Sequence, residues 1–400
     1  MKKDIFWNSI GTAAWSFLSL FLLIVVTRIN GLEDSGLFSF AFAFALIMFT
    51  VACYGGRAYQ VSDHKDSFST DNYISLRLFT SLAVIVITAT FVLLNGYDWQ
   101  KSAIIFLLVG QRVFDAIADV LYGVLQKKQR LYISGKSLFY KSILSFVVFI
   151  TIDVITNDLL LSVLSLPIIS LLFVLLYDIR QSRAVENFNI KPKSSEIRKI
   201  LVSTFLPFTV IFMGLIFANL ARYFVDIYHP DLQGYFGIII MPLSLILLLF
   251  SFILTPAILH LSNAYNNREV HVLHRTIGKI IGVTAGGSVT ACILAYFLSI
   301  PLLKLLFGVD FTDYVTEITW VIVIGFALSL ISLFTNIAII ARKLRVTAII
   351  HLASNVLLAI LCVVLVDPLQ IRGAVIAYAI ASVTQLAIMA TYYLSITRSY

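Results

Sequence analysis

Apolar residues run along this chain in long blocks separated by short polar breaks, and the polar positions inside the blocks are few. Blocks of about twenty mostly apolar residues are the length that an α-helix needs to cross a bilayer. Twelve such blocks are predicted: 5–27, 37–56, 74–95, 102–124, 137–154, 159–178, 201–225, 235–260, 279–299, 315–340, 346–366 and 372–396. The longest polar stretch, Tyr177 to Lys199, follows the sixth block. It divides the chain into a six-helix bundle over 1–178, a linker over 179–200 and a second six-helix bundle over 201–400. The expected fold class is therefore an all-α polytopic membrane protein built as two bundles.

Composition agrees with the pattern. Of the 400 residues, 60% are hydrophobic and 12% charged, and the mean hydropathy is +0.96. Soluble domains carry about 25% charged residues, so the bilayer is the solvent for most of this chain. The opening Met1-Lys2-Lys3-Asp4 and the apolar run behind it resemble a signal peptide, but the run continues past Val26 without a small-residue cleavage site, and it is read as a retained first helix. Cys53, Cys292 and Cys362 lie in apolar runs, with no spacing for disulfides or a metal. His260, His271 and His274 fall near one loop and are read as interfacial.

The net charge of +8 has a membrane explanation, because loops on the inner side of a membrane are rich in Lys and Arg. With the N-terminus inside, the inner segments hold Lys2, Lys3, Arg57, Lys65, Lys127, Lys128, Arg130, Lys136, Arg180, Arg183, Lys191, Lys193, Arg198 and Lys199, then Arg268, Arg275, Lys279, Arg342, Lys343, Arg345 and Arg398. The outer turns hold only Arg28, Lys101, Lys304 and Arg372. Both termini are thus expected inside, at the cytoplasmic face. The outer turns are short and acidic, with Glu33-Asp34, Asp98, Asp153 to Asp158, Asp231 and Asp310 to Glu317, and none is long enough to form a domain.

The two halves repeat one another. Val26-Thr27-Arg28 leading to Gly36-Leu37-Phe38 matches Leu220-Ala221-Arg222 leading to Gly234-Tyr235-Phe236. Gln126 to Leu131 matches Ile340 to Arg345 as a basic hinge. A six-helix offset preserves orientation, which makes these parallel repeats of the kind found in rocking transporters. The first span carries Asn8, Ser9 and Gly11, the seventh carries Pro207 and the eighth Pro242 and Pro256, all residues that weaken or kink a helix.

The fourth span holds the most informative polar residues. Arg112, Asp115, Asp119, Tyr122 and Gln126 recur at helical spacing and share one face. Arg112 stands about 15 Å along the helix from its outer end, near the midplane. A charge there costs roughly 2.5–3.5 kcal/mol to insert, so the row must face a wet cavity, another helix's charges or its own members. Two readings stand: a polar stripe that lines a substrate cavity, or polar glue between helices. Asp115 and Asp119, at i and i+4, repel each other if both are ionised. Arg28 and Arg222 end the first helix of each half near the outer face, with Asn219 one turn before Arg222. Arg57, behind Tyr54-Gly55-Gly56, stands at the inner end of the second span. Each is either a cavity residue or an interfacial anchor. The chain shows no phosphate-binding Gly-rich Lys-Ser/Thr loop and no nucleophile–base set, so neither an ATP-driven motor nor an enzyme is expected, and no cofactor or metal is called for.

Four passages bear a family likeness: Thr27-Arg28-Ile29-Asn30-Gly31 through Ser35-Gly36-Leu37-Phe38-Ser39-Phe40; Gly123-Val124-Leu125-Gln126-Lys127-Lys128-Gln129-Arg130; Thr255-Pro256-Ala257-Ile258-Leu259-His260-Leu261-Ser262; and Arg342-Lys343. Together with the length, the twelve spans and the short outer turns, they make the chain resemble the Wzx-type polysaccharide repeat-unit flippases of the multidrug/oligosaccharidyl-lipid/polysaccharide superfamily. The resemblance implies a MATE-like fold of two bundles working by alternating access. It implies an undecaprenyl-pyrophosphate-linked oligosaccharide as cargo, moved from the cytoplasmic to the outer leaflet of a bacterial inner membrane for O-antigen, capsule or exopolysaccharide synthesis. It also implies a coupling ion, H+ or Na+, and a glycan polymerase and chain-length regulator as partners. The family's cavities are cationic; Arg112 fits that pattern, and Asp115 and Asp119 dilute it. A multidrug exporter of the same superfamily is the nearest rival and would use the two aspartates for organic cations. A membrane glycan polymerase would need a large outer loop. A major-facilitator carrier would show a Gly/Asp/Arg-rich turn after the second span, and 57–66 does not match.

Overall fold

The computed structural model describes residues 2–62, 68–188 and 194–398. Lys65, Lys191 and Lys193, three of the inner cations, lie outside the described residues. Every regular element among the described residues is helical. The first seven are α1 (Lys2–Ile29), α2 (Leu32–Cys53), α3 (Gly56–Ser62), α4 (Thr70–Asn95), α5 (Trp99–Lys127), α6 (Leu131–Thr156) and α7 (Leu159–Phe173). α7 passes through a π-helical turn, Val174–Asp178, into α8 (Ile179–Arg183). There follow α9 (Ser194–Tyr228), α10 (Gln233–Ile239), α11 (Met241–Asn266), α12 (Val270–Phe307), α13 (Val315–Ile340) and α14 (Leu344–Arg398).

Ten helices are long and apolar enough to cross a membrane. α5 is not among them because of its charges, yet its 29 residues exceed the length of a crossing. α14 is two helices joined at Gln370, whose backbone turns out of the helix at φ 54 and ψ −132. Counted so, the described residues hold twelve helices of spanning length, and the chain is a multi-pass membrane protein.

Several predicted boundaries shift, each for a local reason. The second span starts at Leu32 and ends at Cys53, because Tyr54 and Gly55 adopt left-handed φ of 45° and 66°. Arg57 therefore stands on the separate short helix α3 and not at the end of the second span. Pro242 lies at the start of α11, where the missing proline N–H costs nothing, and α10 becomes a separate turn before it. α12 runs 38 residues, well beyond the predicted 279–299. Two of the acidic turns supply helix caps: Asp98 accepts from the Lys101 amide at 2.8 Å and Asp158 from the Leu161 amide at 3.1 Å.

The chain divides into two compact units, Met1–Phe208 and Thr209–Tyr400. The division falls inside α9. Within the N-terminal unit α1 lies along α6 at glycine-to-backbone distance. A Cβ on Gly11 would come within 2.2 Å of the Gly135 carbonyl oxygen, and one on Gly135 within 2.3 Å of Trp7 backbone. α5 packs against α2, α4 and α7. Within the C-terminal unit α13 is central, against α11, α12 and α14.

The basic hinges of the two units share a backbone form. Gln129 and Arg342 both take φ 57. The next amides, Arg130 and Lys343, each donate at 2.8 Å to a carbonyl five residues back, Leu125 and Ala338. This is a Schellman end made without glycine. The structural register pairs Leu131 with Leu344, one residue away from the pairing suggested by the side chains alone.

Candidate functional site

The polar row of α5 meets polar groups from six other helices of the N-terminal unit. Asp115 is the deeper centre. Arg112 Nη1 lies 2.9 Å from its Oδ2 and Lys141 Nζ, from α6, 2.5 Å from its Oδ1. Trp15 Nε1 on α1 donates at 3.4 Å and Ser170 Oγ on α7 at 3.3 Å. The side chains of Arg112, Asp115 and Lys141 are each 4% exposed. The Arg112 guanidinium lies 5.0 Å from the Trp15 ring and 4.7 Å from the Phe42 ring, within cation–π range. Charge on α5 is thus met by charge on α6, which replaces the water that an isolated ion would need.

Asp119, one turn further in, is a second and more open centre. Its Oδ1 accepts from Arg57 Nη1 at 3.1 Å and its Oδ2 from Arg77 Nη2 at 3.2 Å. Cys53 Sγ lies 3.8 Å from the same carboxylate. Arg57 also donates through Nε and Nη2 to Gln126 Oε1, at 3.2 and 3.0 Å, and lies 5.9 Å from the Tyr122 ring. The other end of Arg77 donates at 2.8 Å to the Ala52 carbonyl, which also accepts from Thr80. Ala52 is in the last turn of α2, where carbonyls lack helical partners and a cation is favoured by the helix dipole. The geometry explains why α2 stops at Cys53: the chain turns at Tyr54-Gly55, and α3 returns Arg57 toward α5. Arg77 is buried, whereas Arg57 keeps 27% and Asp119 18% of their side-chain surface open.

A third polar group is made by Tyr122, Ser137 and Asp178. The Tyr122 hydroxyl is 2.9 Å from Ser137 Oγ. Asp178, in the π-helical turn, interacts with both hydroxyls and with the charge of Lys141, although neither of its buried oxygens makes a hydrogen bond of normal geometry. Irregular helical turns of this kind recur at functional positions.

The structure thus brings Arg57, Arg112, Asp115, Asp119, Tyr122 and Gln126 together in one unit. Asp115 and Asp119 are each held by two cations. Arg28 lies exposed in the last turn of α1. Asn219 and Arg222 belong to α9 in the C-terminal unit; Asn219 Nδ2 donates to the Leu215 carbonyl of its own helix at 2.9 Å, and the Arg222 carbonyl accepts from Gln233. Reading the fourth span alone misses Lys141, Arg77, Asp178 and Trp15. The signal was available: Lys141, Arg77 and Asp178 are ionisable residues within or at the edge of apolar blocks, each a functional candidate on that ground.

The fold has known counterparts. The structure superposes on an inward-facing multidrug resistance MATE family transporter of the MOP superfamily with a TM-score of 0.66, covering 99% of both chains at 15% identity. It superposes on the lipid II flippase MurJ, inward closed, with a TM-score of 0.68, over 98% of this chain and 90% of that one at 16% identity. The eukaryotic MATE transporter AtDTX14 gives 0.67 over 100% and 97% at 14% identity. The fold is that of the MOP-superfamily transporters, and these structural neighbours are transporters and flippases. In sequence, the capsular polysaccharide biosynthesis protein CapF of Staphylococcus aureus is 26% identical over 168 residues, 42% of this chain and 41% of that protein's length. No family model matches the chain.

Proposed function

We propose that this protein is a flippase for a lipid-linked oligosaccharide, carrying an undecaprenyl-pyrophosphate-linked repeat unit from the inner to the outer leaflet for surface polysaccharide synthesis. The observation that carries the reading is the arrangement at Arg57. Its guanidinium is gripped by Asp119 and Gln126 and is partly open, while Arg77 behind it neutralises the same carboxylate. Around α5 four cations, Arg57, Arg77, Arg112 and Lys141, face three carboxylates, Asp115, Asp119 and Asp178. An arginine held at this angle offers donors to a phosphate. An organic cation would first have to displace an arginine from Asp119, which favours an anionic head group over the multidrug reading. The sugar head cannot cross hydrocarbon unaided, because its hydroxyls would lose their water partners. Tyr122 and Gln126 supply polar groups beside Arg57. The likeness to a capsule biosynthesis protein and to a lipid II flippase supports the same cargo class. In this reading the protein sits in a bacterial cytoplasmic membrane with both termini inside, and performs no bond chemistry.

The test is reconstitution into liposomes with two probes: a fluorescent polyprenyl-pyrophosphate-linked sugar, scored by dithionite quenching of the outer leaflet, and a fluorescent organic cation. The lipid-linked sugar is expected to move, with Arg57→Ala slowing it at least about tenfold, the scale of losing one charged hydrogen-bonded contact, and Arg57→Lys recovering part of the rate. Movement of the organic cation without the sugar, or a normal rate in Arg57→Ala, would refute the reading.

A further inference from the structure

The C-terminal unit contains a buried polar cluster built without carboxylates. His351, on the first half of α14, is 4% exposed. Its Nδ1 lies 2.9 Å from Gln385 Nε2, on the second half of the same element, and its Nε2 lies 3.1 Å from Thr335 Oγ1 on α13. One turn on, Asn355 Nδ2 donates at 2.9 Å to the Met213 carbonyl of α9 and at 2.8 Å to the His351 carbonyl. The imidazole edge at Cε1 faces Gly214. The ring and Asn355 thus tie together α9, α13 and both halves of α14.

The hydrogen-bond accounting defines the ring's state. With the Gln385 amide nitrogen donating to Nδ1, the proton is on Nε2, Thr335 accepts it, and the ring is neutral. Two acceptors are then left over: Gln385 Oε1 and Asn355 Oδ1 are buried and accept no hydrogen bond. A buried acceptor without a donor is costly. A proton added at Nδ1 gives the ring a second donor. Rotation of the Gln385 amide by half a turn then presents Oε1 to Nδ1–H, and Thr335 goes on accepting from Nε2–H. An amide can present either end and a hydroxyl can accept as well as donate, so both partners suit both ring states. A carboxylate partner would hold the ring charged; its two hydrogen-bond partners are instead an amide and a hydroxyl. The groups shown against the ring are Thr335 from α13, Gly214 from α9 and Gln385 from the second half of α14, with Asn355 on the His351 carbonyl. None of these titrates, so His351 is the titratable group of the cluster.

We propose that His351 is a proton-binding site of the C-terminal unit. A single proton passes from hydronium to Nδ1 and back, Gln385 and Thr335 serve as its acceptors, and the doubly protonated ring draws α13 and the two halves of α14 together. The site is separate from Arg57 and holds whatever the cargo is.

The experiment is nitrogen NMR of the full chain, labelled with 15N-histidine and placed in lipid nanodiscs. The chain has six histidines, and removing the other five one at a time assigns the His351 signals without disturbing the cluster. At pH 8 the ring is expected as the neutral Nε2–H form. On acidification toward pH 4 its two nitrogens should converge to the doubly protonated pattern. Backbone amide exchange across 330–340 and 347–358, corrected for intrinsic rate, should slow at the lower pH in the wild type and lose that pH dependence in His351→Gln. A ring that stays neutral while the exposed histidines titrate would overturn the proposal, as would titration without any change in exchange. Neither outcome bears on the lipid-linked cargo, which the liposome assay decides alone.

Discussion

The cluster around α5 and the cluster at His351, one in each unit, solve the problem of buried polarity in different ways. In the N-terminal unit the groups around α5 are formally charged. Asp115 sits between Arg112 and Lys141, and Asp119 between Arg57 and Arg77. In the C-terminal unit the cluster at His351 is made of an imidazole, two amides, a hydroxyl and a main-chain carbonyl. Ion networks are rigid and sensitive to the loss of any member, because each removal strands a charge. Amide and hydroxyl networks lose less when broken, and their members can reverse roles. The first arrangement suits a fixed platform that presents Arg57. The second suits a place where a proton comes and goes.

That contrast can be broken by substitution. The largest effect is expected for Asp115→Ala, which leaves Arg112 and Lys141 buried and unpaired. Removing one partner of a buried ion pair costs about 3–5 kcal/mol. Thermal unfolding in detergent should show a sharp loss of stability, and adding Lys141→Met should recover part of it. A smaller effect is expected for Asn355→Ala, about 0.6–1.7 kcal/mol, the scale of interhelical hydrogen bonds within membranes. If the two single variants unfold at the same temperature, the distinction between ionic and neutral cores is wrong. The smallest effect is expected for Lys199→Ala. Its partner Glu196 is on the same helix face at 2.9 Å, but the lysine is 65% exposed, and exposed pairs contribute little. A measurable loss of stability there would show that surface charge, and not burial, sets the scale.

Much of the architecture is legible from the chain because a spanning helix must satisfy all its backbone groups within itself. The apolar blocks and the polar breaks therefore mark the helices directly. Val315–Ile340 begins and ends where the pattern predicts. An error arises where local backbone chemistry intervenes, as left-handed Tyr54 and Gly55 detach α3; the break at Gln370 falls where the pattern separates 346–366 from 372–396. The candidate site was legible in half. Helical spacing places Arg112, Asp115, Asp119, Tyr122 and Gln126 on one face, whereas Arg57 is left as either a cavity residue or an interfacial anchor. Spacing along one helix says nothing of what faces it, so Lys141, Arg77, Trp15 and Asp178 escaped, and His351 escaped with them. Listing every polar residue inside an apolar block would have found most of these without naming their partners.

What the amino-acid order determined alone is the solvent, the helices of spanning length, and the polar face of the fourth. These follow from the run lengths of apolar residues and from the 3.6-residue turn, both of which are local properties. What only the tertiary structure decided is which charges meet. The rotation and approach of α6 bring Lys141 to Asp115, and Gly11 and Gly135 allow α1 and α6 to come that close. The turn at Tyr54 delivers Arg57 to Asp119 across 62 positions of sequence. Pairing depends on distances between helices, and those distances are set by packing.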